Sequence, residues 1–153
     1  MSMSLAITLH LLSAVIWVGG MFFAHQCLRP AAASLLDPPA RLKLWVGVFK
    51  TFFLWVWAAI ALTLGSGYWM IFSVFGGFNQ VGLHVMIMQA VGIAMMLIFM
   101  HVFFAPYGKL KRAVQAEQWA EGGAALGQIR QLVGMNLMLG LVVIAIGAGG
   151  RYW

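Results

Sequence analysis

The sequence predicts an all-α fold: an integral-membrane bundle of four helices. Three observations carry this. Of the 153 residues, 63% are hydrophobic and only 8% are charged. Soluble domains carry roughly 25% charged residues, so this chain could not cover a globular surface. Several apolar runs are long enough to span a bilayer, which takes roughly 20 residues, and the short connections between them favour antiparallel neighbours. A single transmembrane domain over residues 1–153 is expected, with no internal repeat and no soluble second domain.

The first segment covers about residues 5–28. No basic residue precedes it, its apolar run exceeds that of a signal peptide, and Ala24-His25-Gln26-Cys27 is a poor lipoprotein cleavage site. It is expected to remain as a mature helix. Arg29-Pro30 then opens a polar connection, residues 29–43, where Asp37-Pro38-Pro39 reads as a turn that starts the next helix. The second segment covers about residues 44–75. It is longer than a span requires and is interrupted by Lys50, so its first turns are expected to project from the bilayer. Gly76-Gly77-Phe78-Asn79 reads as a tight turn. The third segment covers about residues 81–105 and is closed by Pro106. Residues 106–129 form the largest loop, partly helical, and the fourth segment covers about residues 130–150. Gly65, Gly67, Gly82, Gly92, Gly134 and Gly140 would let helices approach closely.

Nine Lys and Arg against three acids give a formal charge of +6. In an apolar chain this reads as topology and lipid contact rather than nucleic-acid binding. Arg29, Arg41, Lys43, Lys50, Lys109, Lys111, Arg112 and Arg130 flank the 1–2 and 3–4 connections, leaving only Arg151 for the opposite side. The positive-inside rule puts those connections in the cytoplasm and both termini outside, in the periplasm. Cys27 is the one cysteine, which excludes an intrachain disulfide and a CxxC site. The three acids fall in the connections, so no paired-carboxylate site or nucleophile triad can be built within the spans.

The four histidines fall into two layers. His10 and His84 lie roughly 8 Å and 5 Å inside the outer ends of two parallel helices, at a rise of roughly 1.5 Å per residue. His25 and His101 form a second, weaker layer roughly 30 Å down. At 100° per residue, Ser13, Trp17 and Met21 fall within about 60° of His10. This gives one stripe with an axial donor, an aromatic wall and small residues, as a haem requires. The leading expectation is therefore a b-type haem held between the first and third helices by His10 and His84, with Ser13, Trp17 and Met86 lining it. One haem is better supported than two. Soft thioethers with imidazole select Cu(I), and the third segment holds Met86, Met88, Met95, Met96 and Met100. Residues two apart do not share a helix face, so this stripe reads first as core filler and second as a copper site. The bland alternative is a non-catalytic small membrane subunit. Gln89 and Asn136 read as interhelical hydrogen-bonding groups.

LHLLSAVIWVGGMFF, with His10, Trp17 and Gly20, followed by Leu28-Arg29-Pro30, resembles the first helix of CopD-type bacterial membrane proteins and of the related HemJ-type protoporphyrinogen oxidases. The similarity continues through Gly82-Leu83-His84 and Arg130-Gln131-Leu132-Val133-Gly134-Met135-Asn136-Leu137. It implies a multi-pass protein of the bacterial inner membrane. From the CopD side it implies copper uptake or resistance. From the HemJ side it implies a haem-dependent oxidoreductase acting on a porphyrinogen or exchanging electrons with a quinol, with His10 as haem ligand. HemJ-type chains carry a lysine where this sequence has Met86, a departure that weakens the oxidase assignment. Whether the chain pairs as a homodimer is left open by the sequence.

Overall fold

The structure, a computed structural model, describes residues 1–152 apart from the side chain of Arg151. The charge of Arg151, set opposite the other eight in the topology reading, thus lies outside the described residues. Among those residues the chain is helical throughout, with no strand. Helix α1 runs Met3–Leu35, α2 Pro38–Ser73, α3 Leu83–Phe104, α4 Pro106–Gln115 and α5 Trp119–Gly149. Four helical stretches, α1, α2, α3 with α4, and α5, are long and apolar enough to cross a membrane.

The local signals explain the boundaries. Ser2 caps α1 by accepting from the Leu5 amide at 3.3 Å. Asp37 is the extended residue before α2, whose first turn holds Pro38, a position that tolerates the missing N–H. The turn at Gly76-Gly77 has φ of +81° and +114°, which glycine adopts without Cβ strain. Pro106 opens α4 after a break at Ala105.

The two connections carry more helix than expected. Residues 29–43, read as a connection, continue α1 to Leu35 and begin α2 at Pro38, leaving two linking residues. Residues 106–129, read as the largest loop, are α4 and the first turns of α5, joined across residues 116–118. Polar composition suggested loops, but these turns project past the apolar spans, where a polar helix is soluble on its own. In α4 the periodicity survives: Tyr107, Leu110 and Ala113 are buried while Lys109, Lys111 and Arg112 are exposed. The Pro30 problem is resolved by a π turn at Phe23–Leu28, in which the Arg29 amide reaches the Ala24 carbonyl five residues back. The widened turn re-registers the backbone just before the residue that cannot donate.

Side-chain contacts fix the packing as antiparallel pairs. His10 meets Ser66 and Gly20 meets Phe52 between α1 and α2. Phe53 and Trp57 of α2 meet Phe99 of α3. Met88 and Met95 of α3 meet Gly147 and Gly140 of α5, and Val18 of α1 also meets Gly140. Helices α1 and α3 therefore sit at opposite corners, touching through the edge contact of Trp17 on Phe99 at the centre. Large apolar side chains such as Leu11, Val15, Leu54, Leu97 and Met138 stay exposed, the surface a lipid bilayer covers. Helix α2 has 36 residues, roughly 54 Å at 1.5 Å each, well beyond a roughly 30 Å hydrocarbon core. The excess lies at the end carrying Arg29, Arg41, Lys43 and the α4 cations, hereafter the basic end.

Candidate functional site

His10 is anchored toward α2, not toward α3. Its Nδ1 lies 3.1 Å from Ser66 Oγ. The single Ser66 proton is directed to the Leu62 carbonyl, 2.5 Å away. Ser66 therefore accepts, Nδ1–H donates, and the free lone pair of His10 sits on Nε2. A neighbouring hydrogen bond that fixes the tautomer is how metal-ligating imidazoles are commonly prepared.

The other residues of the expected haem pocket disperse. His84 packs at the far end of α5, where a Cβ built on Gly150 would fall 2.6 Å from the His84 Cβ. Met86 is 44% exposed and faces away from the bundle. Ser13 is buried and its hydroxyl donates to the Leu9 carbonyl at 2.7 Å. Trp17 is buried with its ring edge-on to Phe99, centroids 6.3 Å apart. The space beside Trp17 and Met21 is about 10 Å³, against roughly 300 Å³ or more for ordinary ligand pockets. As packed, these residues do not fit a haem. The second layer disperses likewise: His101 is exposed, whereas His25 lies in the π turn against α5.

A different alignment emerges along α5. Gly134, Gly140 and Gly147 of α5, and Gly150 just after it, each receive an imidazole or a thioether side chain. Gly150 receives His84, and Gly147 receives Met88, whose Cε and Sδ would lie 3.0 and 3.4 Å from an added Cβ. Gly140 receives Met95, at 3.1 Å by the same measure, and Gly134 receives His25 Nε2, also at 3.1 Å. Gly134 to Gly150 spans sixteen residues, roughly 24 Å. Gly140 also receives Val18 of α1, at 2.8 Å by the same measure. Between Met95 and His25, Met21 and Asn136 share the small cavity beside Trp17. Asn136 Oδ1 and His25 Nδ1 are buried with no hydrogen-bond partner, a condition that buried polar atoms ordinarily avoid. Among the described residues no three His, Cys, Asp or Glu side chains gather as a metal group. A mixed His and Met set is a different donor chemistry, suited to a soft monovalent ion.

The two-residue steps from His84 to Met86 and from Met86 to Met88 change face, whereas the step of four from His84 to Met88 places both on one face. The family model of CopD, copper resistance protein D, matches residues 46–149. The chain belongs to the CopD family. The match takes in most of α2 and all of α3, α4 and α5, and so Gly134, Gly140 and Gly147 of the glycine seam, but not Gly150 or His25. No curated protein and no solved structure matches the chain. The protein is thus a CopD-family membrane protein, a family linked by its name to copper resistance.

Proposed function

We propose that this CopD-family protein binds Cu(I) within the bundle and carries it along the seam between α3 and α5. His84, Met88 and Met95 serve as donors, and His25 serves at the basic end. The observation that supports this is the run of imidazole and thioether side chains lodged against Gly150, Gly147, Gly140 and Gly134. A bare cation in a low-dielectric interior is strongly disfavoured. Neutral soft donors replace its water without adding charge. The glycines let those donors lie against the α5 backbone where a side chain would exclude them. Asn136 Oδ1, a buried acceptor without a partner, supplies a further oxygen near the middle of the path. The cysteine at position 27 is exposed and plays no part in the seam. The positive-inside rule sets the basic end in the cytoplasm and the termini in the periplasm of a bacterial inner membrane. The path then runs from His84 outside to His25 inside.

Anaerobic titration of the purified protein with Cu(I) against a chromophoric chelator tests this. The expected result is stoichiometric retention. His84→Ala and Met88→Leu should each weaken affinity at least about tenfold, or about 1.4 kcal/mol, while the exposed Met86→Leu changes nothing. A wild-type protein that retains no Cu(I) would overturn the reading and favour a purely structural membrane subunit.

The haem reading, with its quinol or porphyrinogen chemistry, keeps one supporting feature, the free Nε2 of His10, and lacks a recess beside Trp17. The absorption spectrum with and without dithionite separates it from the copper reading. A Soret band lost in His10→Ala would restore it.

A further inference from the structure

A cavity of about 250 Å³ opens at the basic end, between α1, α2 and α5. Arg29, Arg41 and Arg130 line it together with His25, and no carboxylate is among its lining residues. Three guanidinium groups around one recess repel each other and call for an anion. Helices α2 and α5 both begin at this end, so the positive ends of their dipoles add to the same field. The deeper walls are apolar: Leu42, Trp45 and Phe49 from α2, Leu126 and Val133 from α5. Trp119 closes one side, with the Lys43 ammonium 5.5 Å above its ring.

Depth decides what kind of anion fits. Counting from the far end, Leu83–Phe104 is roughly 33 Å long, and residues 130–149 are roughly 30 Å. Both match the hydrocarbon thickness, so Arg130 and Arg29 lie at the headgroup boundary. Interfacial tryptophans such as Trp45 and Trp119 belong at that level. The recess therefore offers cations at the lipid-phosphate level and an apolar floor just beneath.

We propose that this cavity is a binding site for the phosphate of an anionic membrane lipid. The phosphodiester sits among Arg29, Arg41 and Arg130, and the glycerol and first methylenes lie over Trp45 and Leu126. Planar guanidinium groups pair with phosphate through two parallel hydrogen bonds. A headgroup carrying its own cation, such as choline, would meet the arginines with like charge. A soluble phosphate would leave the apolar floor uncovered. The cavity meets the proposed copper path at His25, but none of its arginines is a proposed copper donor, so the arginine variants test the lipid site alone.

Native mass spectrometry of the full chain in detergent tests the site, using phosphatidylglycerol, phosphatidylcholine and inorganic phosphate as probes. One phosphatidylglycerol should be retained at least about fivefold more tightly than phosphatidylcholine. Arg41→Gln and Arg130→Gln should each weaken it about fivefold, the effect of one basic residue at an anionic lipid surface. Lys109→Gln, which removes an equal charge at the same end outside the cavity, should leave it unchanged. The lipid comparison on the wild-type chain stands even if an arginine variant fails to fold. Equal retention of the two lipids, saturation by inorganic phosphate in place of lipid, or indifference to both arginine variants would overturn the proposal.

Discussion

Helix α3 has two unlike sides. Toward α2 it is aromatic: Phe99 and Phe103 pack with Phe53, Trp57 and Tyr107 in edge and tilted contacts at centroid distances of 5.3 to 6.1 Å. Toward α5 it presents His84, Met88 and Met95 to glycines. The aromatic side has large buried area and ring geometry that contributes beyond area. The glycine side brings imidazole and thioether side chains against bare backbone, His84 through Cβ and Cγ, Met95 through Cε and Met88 through Cε and Sδ. One seam holds the helices together, while the other seats donor-bearing side chains against glycine. The first is where stability should be most sensitive, and the second is where chemistry should be.

Breaking the aromatic seam should have the largest effect on stability. Phe99 is 4% exposed and touches Trp17, Phe53, Trp57 and Phe103. Phe99→Ala should destabilise the bundle by about 3–5 kcal/mol, read as a lowered midpoint of unfolding in detergent. A shift below about 1 kcal/mol would mean that the seam relaxes freely and does not set the stability.

The glycine seam should be next. A Cβ at Gly140 would come 2.8 Å from Val18 Cγ2 and 3.1 Å from Met95 Cε. Valine is stiff at χ1 and cannot swing clear. Gly140→Ala should therefore destabilise by about 1–3 kcal/mol and weaken Cu(I) retention. Gly92, with nothing within 4 Å of an added Cβ, is the control on α3 itself. Gly92→Ala should be neutral or stabilise by up to about 1 kcal/mol through helix propensity. Equal behaviour of the two variants would remove the distinction between a packed seam and an open face.

Much of this architecture was legible in the sequence. The four spans, the Gly76-Gly77 turn and the break at Pro106 follow from apolar run length and backbone sterics, which act locally. The helical extent of the connections is less legible, because polarity marks exposure to water, and a projecting helix is exposed too. The helix-approach glycines were half legible. Gly67, Gly134 and Gly140 receive side chains from other helices, Gly65 and Gly92 face open space, and Gly147 and Gly150 receive side chains without having been expected to. Composition shows where a close approach is permitted, but only the rotation of each helix decides whether it happens. The same limit applies to His10. Depth along parallel helices suggested His84 as its partner, yet α1 and α3 sit at opposite corners and His10 turns to Ser66. Layer position is one-dimensional, whereas corner order is set by all four helices at once.

The smallest expected effect is also the sharpest probe of the His10 corner. The Ser66 hydroxyl proton is committed to the Leu62 carbonyl, so Ser66 Oγ accepts from His10 Nδ1–H. Ser66→Ala removes that acceptor and should destabilise by about 1 kcal/mol, the usual net worth of one such hydrogen bond. It should also release the tautomer. In ¹⁵N spectra of histidine-labelled protein, wild-type His10 should show Nδ1 protonated and Nε2 bare, and Ser66→Ala should show a mixture. Ser66→Thr, which keeps the hydroxyl, should restore the wild-type pattern. A His10 tautomer unmoved by Ser66→Ala would show that something other than this bond fixes the ring. The corner would then be packing alone, and the contrast between a stabilising aromatic seam and a ligand-bearing one would rest entirely on α5.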